Sequence, residues 1–326
     1  MAQAPSILSI LSIISKISTK TAPRMENDMT VKTEAPLPPE DWAVKGELVA
    51  IPVKGPGKRE WRLDGFFRGA SGKADKDLPL LVFVHGMGSN FYRSKLKKAF
   101  LEVAPRRGMA VLSVNNSGAD GGTFDERFSD CLYDLDAIKA WAARRGFGRV
   151  VWVGHSTGCQ KSVFWQARRG AAETAGIVLL APADDNAILK REWGAQLARK
   201  VAWAKRQVAE GNGGVAVERG YERFSARRFL SVAEESRAEA GVFRYAGRLT
   251  MFRKVRCPVL AVFGAEEEFA VLPPKEMLEK LADVTRSVEY TGVLVPGTGH
   301  SFREAEAEVA EEVCAWVRDA VGGAAK

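Results

Sequence analysis

The stretch VVWVGHSTGCQ, residues 150–160, decides the reading of this chain. Its first four residues are apolar and read as a short strand buried on both faces. They run directly into Gly154-His155-Ser156-Thr157-Gly158, a full G-x-S-x-G, and residues 156–169 carry a helical pattern. The five-residue pattern alone is common. A strand before it and a helix after it make it a tight turn that lifts the serine hydroxyl above the carboxyl end of a sheet. A helix beginning at that serine also aims partial positive charge at any oxyanion formed there. The competing reading is an ordinary glycine-rich strand–helix connection.

Outward from this turn the same alternation repeats. Upstream, residues 47–53 and 61–67 read as an antiparallel pair around Gly55-Pro56-Gly57. Residues 78–84 and 109–114 are strands separated by a helix from residue 94, and 128–145 is helical by its apolar spacing. Downstream, 177–180, 259–263 and 288–295 read as strands, with helices at 274–281 and 302–321. Strands alternating with helices predict an α/β fold with a mostly parallel central sheet flanked by helices. No repeat of solenoid length is present. Between residues 182 and 258 the alternation stops. A helical stretch from 187 to 210, a glycine breaker and a mixed segment predict a mainly helical cap inserted over the site. The expected organisation is a flexible leader at 1–40, core at 41–182, cap at 183–257 and core again at 258–326.

The cap is strongly basic: from 187 to 256, 16 Lys or Arg stand against 7 Asp or Glu, more than accounting for the whole chain's net charge of +8. A solvated helical face explains such an excess, and so does a rim that steers anionic substrates. Phe229, Phe243, Tyr245 and Phe252, interspersed with Arg228, Arg244 and Arg253, are candidates for an apolar acyl pocket edged with charge. The four cysteines are scattered without metal-ligand or disulfide spacing, which fits a cytoplasmic protein. No metal and no organic cofactor is implied. No apolar run reaches the roughly 18 residues of a membrane span. The leader alternates Ser with Ile and Leu before Lys16, an order unlike a secretory signal. It reads as a loosely docked extension, a segment making peripheral membrane contact or a targeting segment. Alternatively it precedes a true start at Met25 or Met29.

There are only three histidines, His85, His155 and His300. His300 lies in a glycine-rich loop after the last strand and is the candidate general base for Ser156. His85 opens His85-Gly86-Met87-Gly88 after a buried strand, where a loop can bring backbone N–H groups to a tetrahedral intermediate. Met87 and Thr157 are the candidate oxyanion donors, with His85, Gly86 and Gly88 supporting that loop. The acid that orients the histidine is open. Glu266, Glu267 and Glu268 all follow the strand at 259–263, and Asp184 follows the strand at 177–180. By position, Glu267 is preferred and Asp184, Glu266 and Glu268 are alternatives.

These residues, taken in order, resemble the α/β-hydrolase superfamily over roughly residues 47–321. The elbow at Ser156, the His85-Gly86-Met87-Gly88 loop, the segment 264–269 and Gly299-His300 recur in the family's order of nucleophile, acid, histidine. The resemblance implies Glu267 as acid, the third residue after Gly264, although the family usually carries Asp there. Residues 154–160, Asn115-Asn116-Ser117-Gly118 and Arg228-Phe229-Leu230-Ser231 resemble more closely a group that includes fungal siderophore esterases.

The expected activity is therefore cleavage of a small-molecule carboxylic ester through an acyl-enzyme, with an anionic ester bearing an apolar acyl part as the substrate form the basic insertion suggests. A thioesterase, lactonase or amidase of the same fold is the nearest alternative. A non-catalytic nucleotide- or nucleic-acid-binding module is more distant. Gly86-Met87-Gly88 lacks G-x-G-x-x-G spacing, no G-x-x-x-x-G-K-S/T is present, and the basic cap has no zinc-ligand or RNP-type pattern.

Overall fold

The apolar runs become the interior of one sheet because both faces of each strand are covered. Strands β4 (Leu80–Val84), β5 (Val111–Val114), β7 (Thr174–Leu180) and β10 (Val259–Gly264) are buried at every position. β6 (Val150–His155) is buried up to Gly154. The structure is a computed structural model of the 326-residue chain and describes residues 17–18, 43–71, 78–170, 172–219 and 222–321. The sheet is completed by β1 (Ile17–Ser18), β2 (Glu47–Lys54), β3 (Glu60–Arg68) and β11 (Tyr290–Val295), in the order β1-β11-β10-β7-β6-β4-β5-β3-β2. Strands β5, β4, β6, β7, β10 and β11 pair in parallel. The pairs β2–β3, β3–β5 and β1–β11 are antiparallel. Apart from Ile17–Ser18, the proposed leader at 1–40 lies outside the described residues.

The topology already marks where chemistry belongs. From β4 the chain moves to β5 on one side, then returns to place β6 on the other side of β4. Loops leaving β4 and β6 therefore diverge and open a crevice at the carboxyl edge of the sheet. Helices α1 (Lys95–Arg106), α2 (Cys131–Arg144), α3 (Thr157–Arg169), α8 (Pro274–Val284) and α9 (Glu306–Trp316) flank it. Helix α1 packs on α9 and α2 on α3. Trp152 of β6 meets Trp165 of α3 edge to face, ring centroids 5.0 Å apart, which pins the helix that follows Ser156 to its own strand.

The insertion between β7 and β10 differs from its expected form in two ways. The helix anticipated over 187–210 is two helices, α4 (Asp185–Trp193) and α5 (Gln196–Ala209), divided at Gly194 with φ 49°. A hairpin, β8 (Ala216–Arg219) with β9 (Glu222–Ser225), then precedes α6 (Ala226–Ala233) and the single turn α7 (Ala238–Gly241). The supposed acyl pocket is also corrected. Phe243, Tyr245 and Phe252 are at most 2% exposed within the main core, and Phe229 is buried in a separate cluster with Leu189, Phe224 and Leu230. Packing claims these rings, and the Tyr245 hydroxyl donates to Pro182 O at 2.8 Å. Arg228 is wholly buried and forms no rim. Much of the basic charge of the insertion is spent on ion pairs, including Lys205–Glu234, Arg244–Glu235 and Arg227–Asp125.

Candidate active site

Ser156 sits between β6 and α3 with φ 54° and ψ −128°, in the left-handed half of conformational space that side-chain-bearing residues avoid. The strain is sustained by close packing. A methyl at Gly158 would collide with the Val84 carbonyl, and one at Gly86 would lie 2.8 Å from Ser156 Cβ. Glycine at both places lets the ends of β4 and β6 approach each other. Ser156 is consequently only partly covered, at the head of α3, while Thr157 behind it is buried.

His300 stands across the same edge, after β11. Its Nδ1–H donates to Glu267 Oε1 at 2.8 Å, which leaves Nε2 as the basic nitrogen. Glu267 is 7% exposed, and its Oε1 also accepts Phe269 N–H at 3.1 Å. Its other oxygen, Oε2, is buried without a hydrogen-bond partner among the described residues. A carboxylate half satisfied in this way is offset best by a cation on the ring it already holds. Phe269 packs edge to face on the imidazole, centroids 4.8 Å apart. The loops themselves are joined, with Glu266 N–H donating to Thr298 O at 2.8 Å.

The structure separates the four acid candidates. The Glu266 side chain is exposed. Glu268 accepts the His300 main-chain N–H at Oε2, 2.8 Å, and so holds the loop rather than the ring. That bond helps hold the Glu268 carboxyl below its ordinary range against the opposing effect of burial. Asp184 is not brought to His300. It caps α4, accepting Ala187 N–H at 2.9 Å and Tyr245 N–H at 3.2 Å, and burial raises its pKa. Only Glu267 meets the ring.

The sequence places His155 only within the elbow, yet its side chain reaches the same loop. Its Nε2–H donates to His300 O at 2.8 Å, and burial, then the charge of His300, push its pKa down to about 3. It therefore stays neutral and acts as a strut. No local pattern in the sequence shows this, because the partner is a main-chain carbonyl 145 residues away. No hydrogen bond joins Ser156 Oγ to His300 Nε2 among the described residues. Such contacts commonly tighten only when substrate binds.

At the end of β4, His85 Nε2 accepts Asn116 N–H at 3.1 Å and its Nδ1–H donates to Gly86 O at 2.7 Å. Burial, reinforced by Lys161, holds it neutral. It organises the loop as a neutral ring, protonated at Nδ1 alone. Met87 N–H has no main-chain partner among the described residues, and Thr157, first in α3, has no carbonyl one turn behind it to bond. Helix α4 is tied to the core at both ends: Asp185 accepts from Gln160 at 2.8 Å, and Arg191 donates to Ala270 O at 2.7 Å. Among the described residues no group of three or more His, Cys, Asp or Glu is arranged to hold a metal ion, and no helix is long and apolar enough to cross a membrane.

Solved structures share this fold. Est1E from Butyrivibrio proteoclasticus with ferulic acid bound superposes with a TM-score of 0.58 at 17% identity, over 80% of this chain and 96% of that one. The siderophore hydrolase EstB from Aspergillus fumigatus gives 0.61 at 18% identity, over 86% and 98%. The Paleococcus ferrophilus monoacylglycerol lipase gives 0.59 at 17%, over 79% and 98%. At such identities the likeness is one of fold. No curated protein sequence matches the chain. A model of the alpha/beta hydrolase family, however, matches residues 81–312, and the chain belongs to that family.

Proposed function

We propose that this protein is a serine hydrolase that cleaves carboxylic esters through an acyl-enzyme. The observation that carries the reading is the Glu267–His300 pair, 2.8 Å apart, on the same sheet edge as a serine held at φ 54°. Ser156 Oγ attacks the ester carbonyl while His300 Nε2 takes its proton, and Glu267 stabilises the imidazolium that results. The carbonyl oxygen becomes an oxyanion held by the Met87 and Thr157 N–H groups, with the positive end of α3 behind Thr157. His300 returns the proton to the departing alcohol oxygen. It then deprotonates a water that attacks the acyl-enzyme, and the acid leaves as Ser156 recovers its proton. The insertion acts as a cap over this edge. Ester chemistry is preferred over thioester, lactone or amide cleavage because ester-cleaving proteins recur among the structural neighbours.

The test is Ser156→Ala. Turnover of p-nitrophenyl butyrate should fall by at least about 10⁴-fold while the circular dichroism spectrum is unchanged. Wild-type-like turnover by the pure, folded variant would overturn the proposal.

A further inference from the structure

The peptide between Gly86 and Met87 carries the Gly86 carbonyl on one side and the Met87 N–H on the other, because the unit is planar and trans. Whatever holds the carbonyl therefore aims the N–H. Gly86 O accepts from His85 Nδ1 at 2.7 Å and from Ser89 N–H at 3.3 Å, closing a turn in which Gly88 takes the left-handed position, φ 62°. His85 is held in turn by Asn116, whose N–H donates to Nε2 at 3.1 Å and whose Nδ2 donates to His85 O at 3.2 Å.

Behind Asn116 lies a chain of buried charge. The Lys161 ammonium donates to Asn116 Oδ1 and, at 2.8 Å, to Ser117 O. It also stands 2.5 Å from Glu126 Oε1. Glu126 Oε2 lies 3.4 Å from Arg228 Nη2 on α6, and Arg228 grips Glu239 with both terminal nitrogens. Ser231 Oγ donates to Glu239 Oε2 at 2.6 Å. All four charged side chains are 0% exposed. The Glu126 contacts have ion-pair distances without hydrogen-bond geometry, so the chain is tied there by charge rather than direction.

Two cations and two anions removed from water are a costly way to fill a core. Apolar side chains of similar volume commonly serve stability as well or better. What the charges supply is a fixed arrangement: Lys161 lies on the helix that begins behind Ser156, Glu126 on the main domain, and Arg228 and Glu239 on the insertion. We propose that Lys161 is a positioning residue for the oxyanion donor. It holds Asn116, hence His85 and the Gly86–Met87 peptide, and the Glu126–Arg228–Glu239 chain makes that hold depend on the insertion being seated. This rests on the serine-hydrolase reading above.

Two charge-balanced double variants test it in the full chain. Lys161→Met with Glu126→Gln leaves Arg228 paired with Glu239. Arg228→Met with Glu239→Gln leaves Lys161 paired with Glu126. The first should lower kcat by about 10–100-fold with KM within about twofold, and weaken inhibition by phenylboronic acid, a mimic of the tetrahedral adduct, by a similar factor. The second should lower kcat by about 3–10-fold, again with little change in KM. Wild-type kcat in the first variant, with only a lower melting temperature, would overturn the proposal by reducing the chain to a structural device. Should the first variant not fold, unchanged kcat in the second overturns it. Failure of the wild-type protein to cleave esters is a separate result and strikes the function itself.

Discussion

Two polar sites less than one domain apart are built on opposite principles. At the sheet edge Glu267 and His300 are joined by one hydrogen bond, one carboxylate oxygen has no hydrogen-bond partner among the described residues, and the ring is packed by Phe269. Under the insertion, Lys161, Glu126, Arg228 and Glu239 neutralise each other in a fully sealed chain. The first arrangement carries an anion whose charge is balanced only when a positive charge develops on the imidazole. The second is balanced in charge at rest, two cations against two anions, although both Glu126 oxygens and Arg228 Nε lack hydrogen-bond partners among the described residues. An open charge suits a group that answers a change of charge during a reaction, whereas charge balance suits groups that hold a fixed arrangement.

The sharpest way to break this contrast is at the edge. Glu267→Gln should slow ester turnover by about 10²–10⁴-fold, because the ring loses its orienting anion, with little change in unfolding stability. Asp184→Asn, which disturbs a helix cap or the Tyr245 N–H bond, should leave kcat within about threefold and cost roughly 1–2 kcal/mol of stability. Steady-state kinetics and urea unfolding of both variants decide the matter. If Asp184→Asn is the slower enzyme, the acid has been misplaced.

Under the insertion the expectation inverts. Arg228→Met alone leaves Glu126 to Lys161 but strands Glu239 in a dry interior, and should cost about 3–5 kcal/mol. Urea unfolding measures this directly, and a loss below about 1 kcal/mol would show that water reaches the chain.

A smaller effect tests the intermediate case of Lys97, which is 1% exposed. It donates to Ser89 Oγ at 2.8 Å and lies over the Phe83 ring. Burial pushes its pKa down from 10.5 to about 8, against the attraction of Asp120. Below pH 8 the ammonium is charged in both folded and unfolded chains, so the folded state bears the full cost of burying it. Between about 8 and 10.5 the unfolded chain keeps a proton that the folded one has released, so this cost is relieved as pH rises. Lys97→Met should therefore be more stable than wild type at pH 7, by on the order of 1–3 kcal/mol, with the difference shrinking towards pH 10. A constant difference between pH 7 and pH 10 in urea unfolding would refute the buried ammonium.

The same contrast explains what was legible in the sequence. The elbow, the His85 loop and His300 are local signals: short strands end in glycine turns, and turn chemistry is written in adjacent residues. The parallel sheet is legible in apolar runs such as 78–84 and 259–263, which become Leu80–Val84 and Val259–Gly264. Position favours Glu267 over Glu266, Glu268 and Asp184 without excluding them, and it is packing that turns Glu267 inward while Glu268 holds the His300 amide. The charged chain had no local signature. Its members stand at 126, 161, 228 and 239, and nothing near any of them announces the others. The insertion misled for the same reason. Phe243 and Phe252 alternate with arginines as a pocket rim would, yet the sheet core takes the rings. Gly194 interrupts what composition presents as one helix over 187–210, and the paired strands Ala216–Arg219 and Glu222–Ser225 follow the glycine breaker in a region without a clear strand pattern.

The central claim, an activated Ser156, is tested most directly by reacting the protein with a fluorophosphonate and mapping the adduct by mass spectrometry. The account predicts a single adduct on Ser156 in the wild type, strongly reduced in Glu267→Gln and absent in Ser156→Ala. An adduct that persists in folded Ser156→Ala, or ester turnover by a wild-type protein whose Ser156 remains unlabelled, would contradict it.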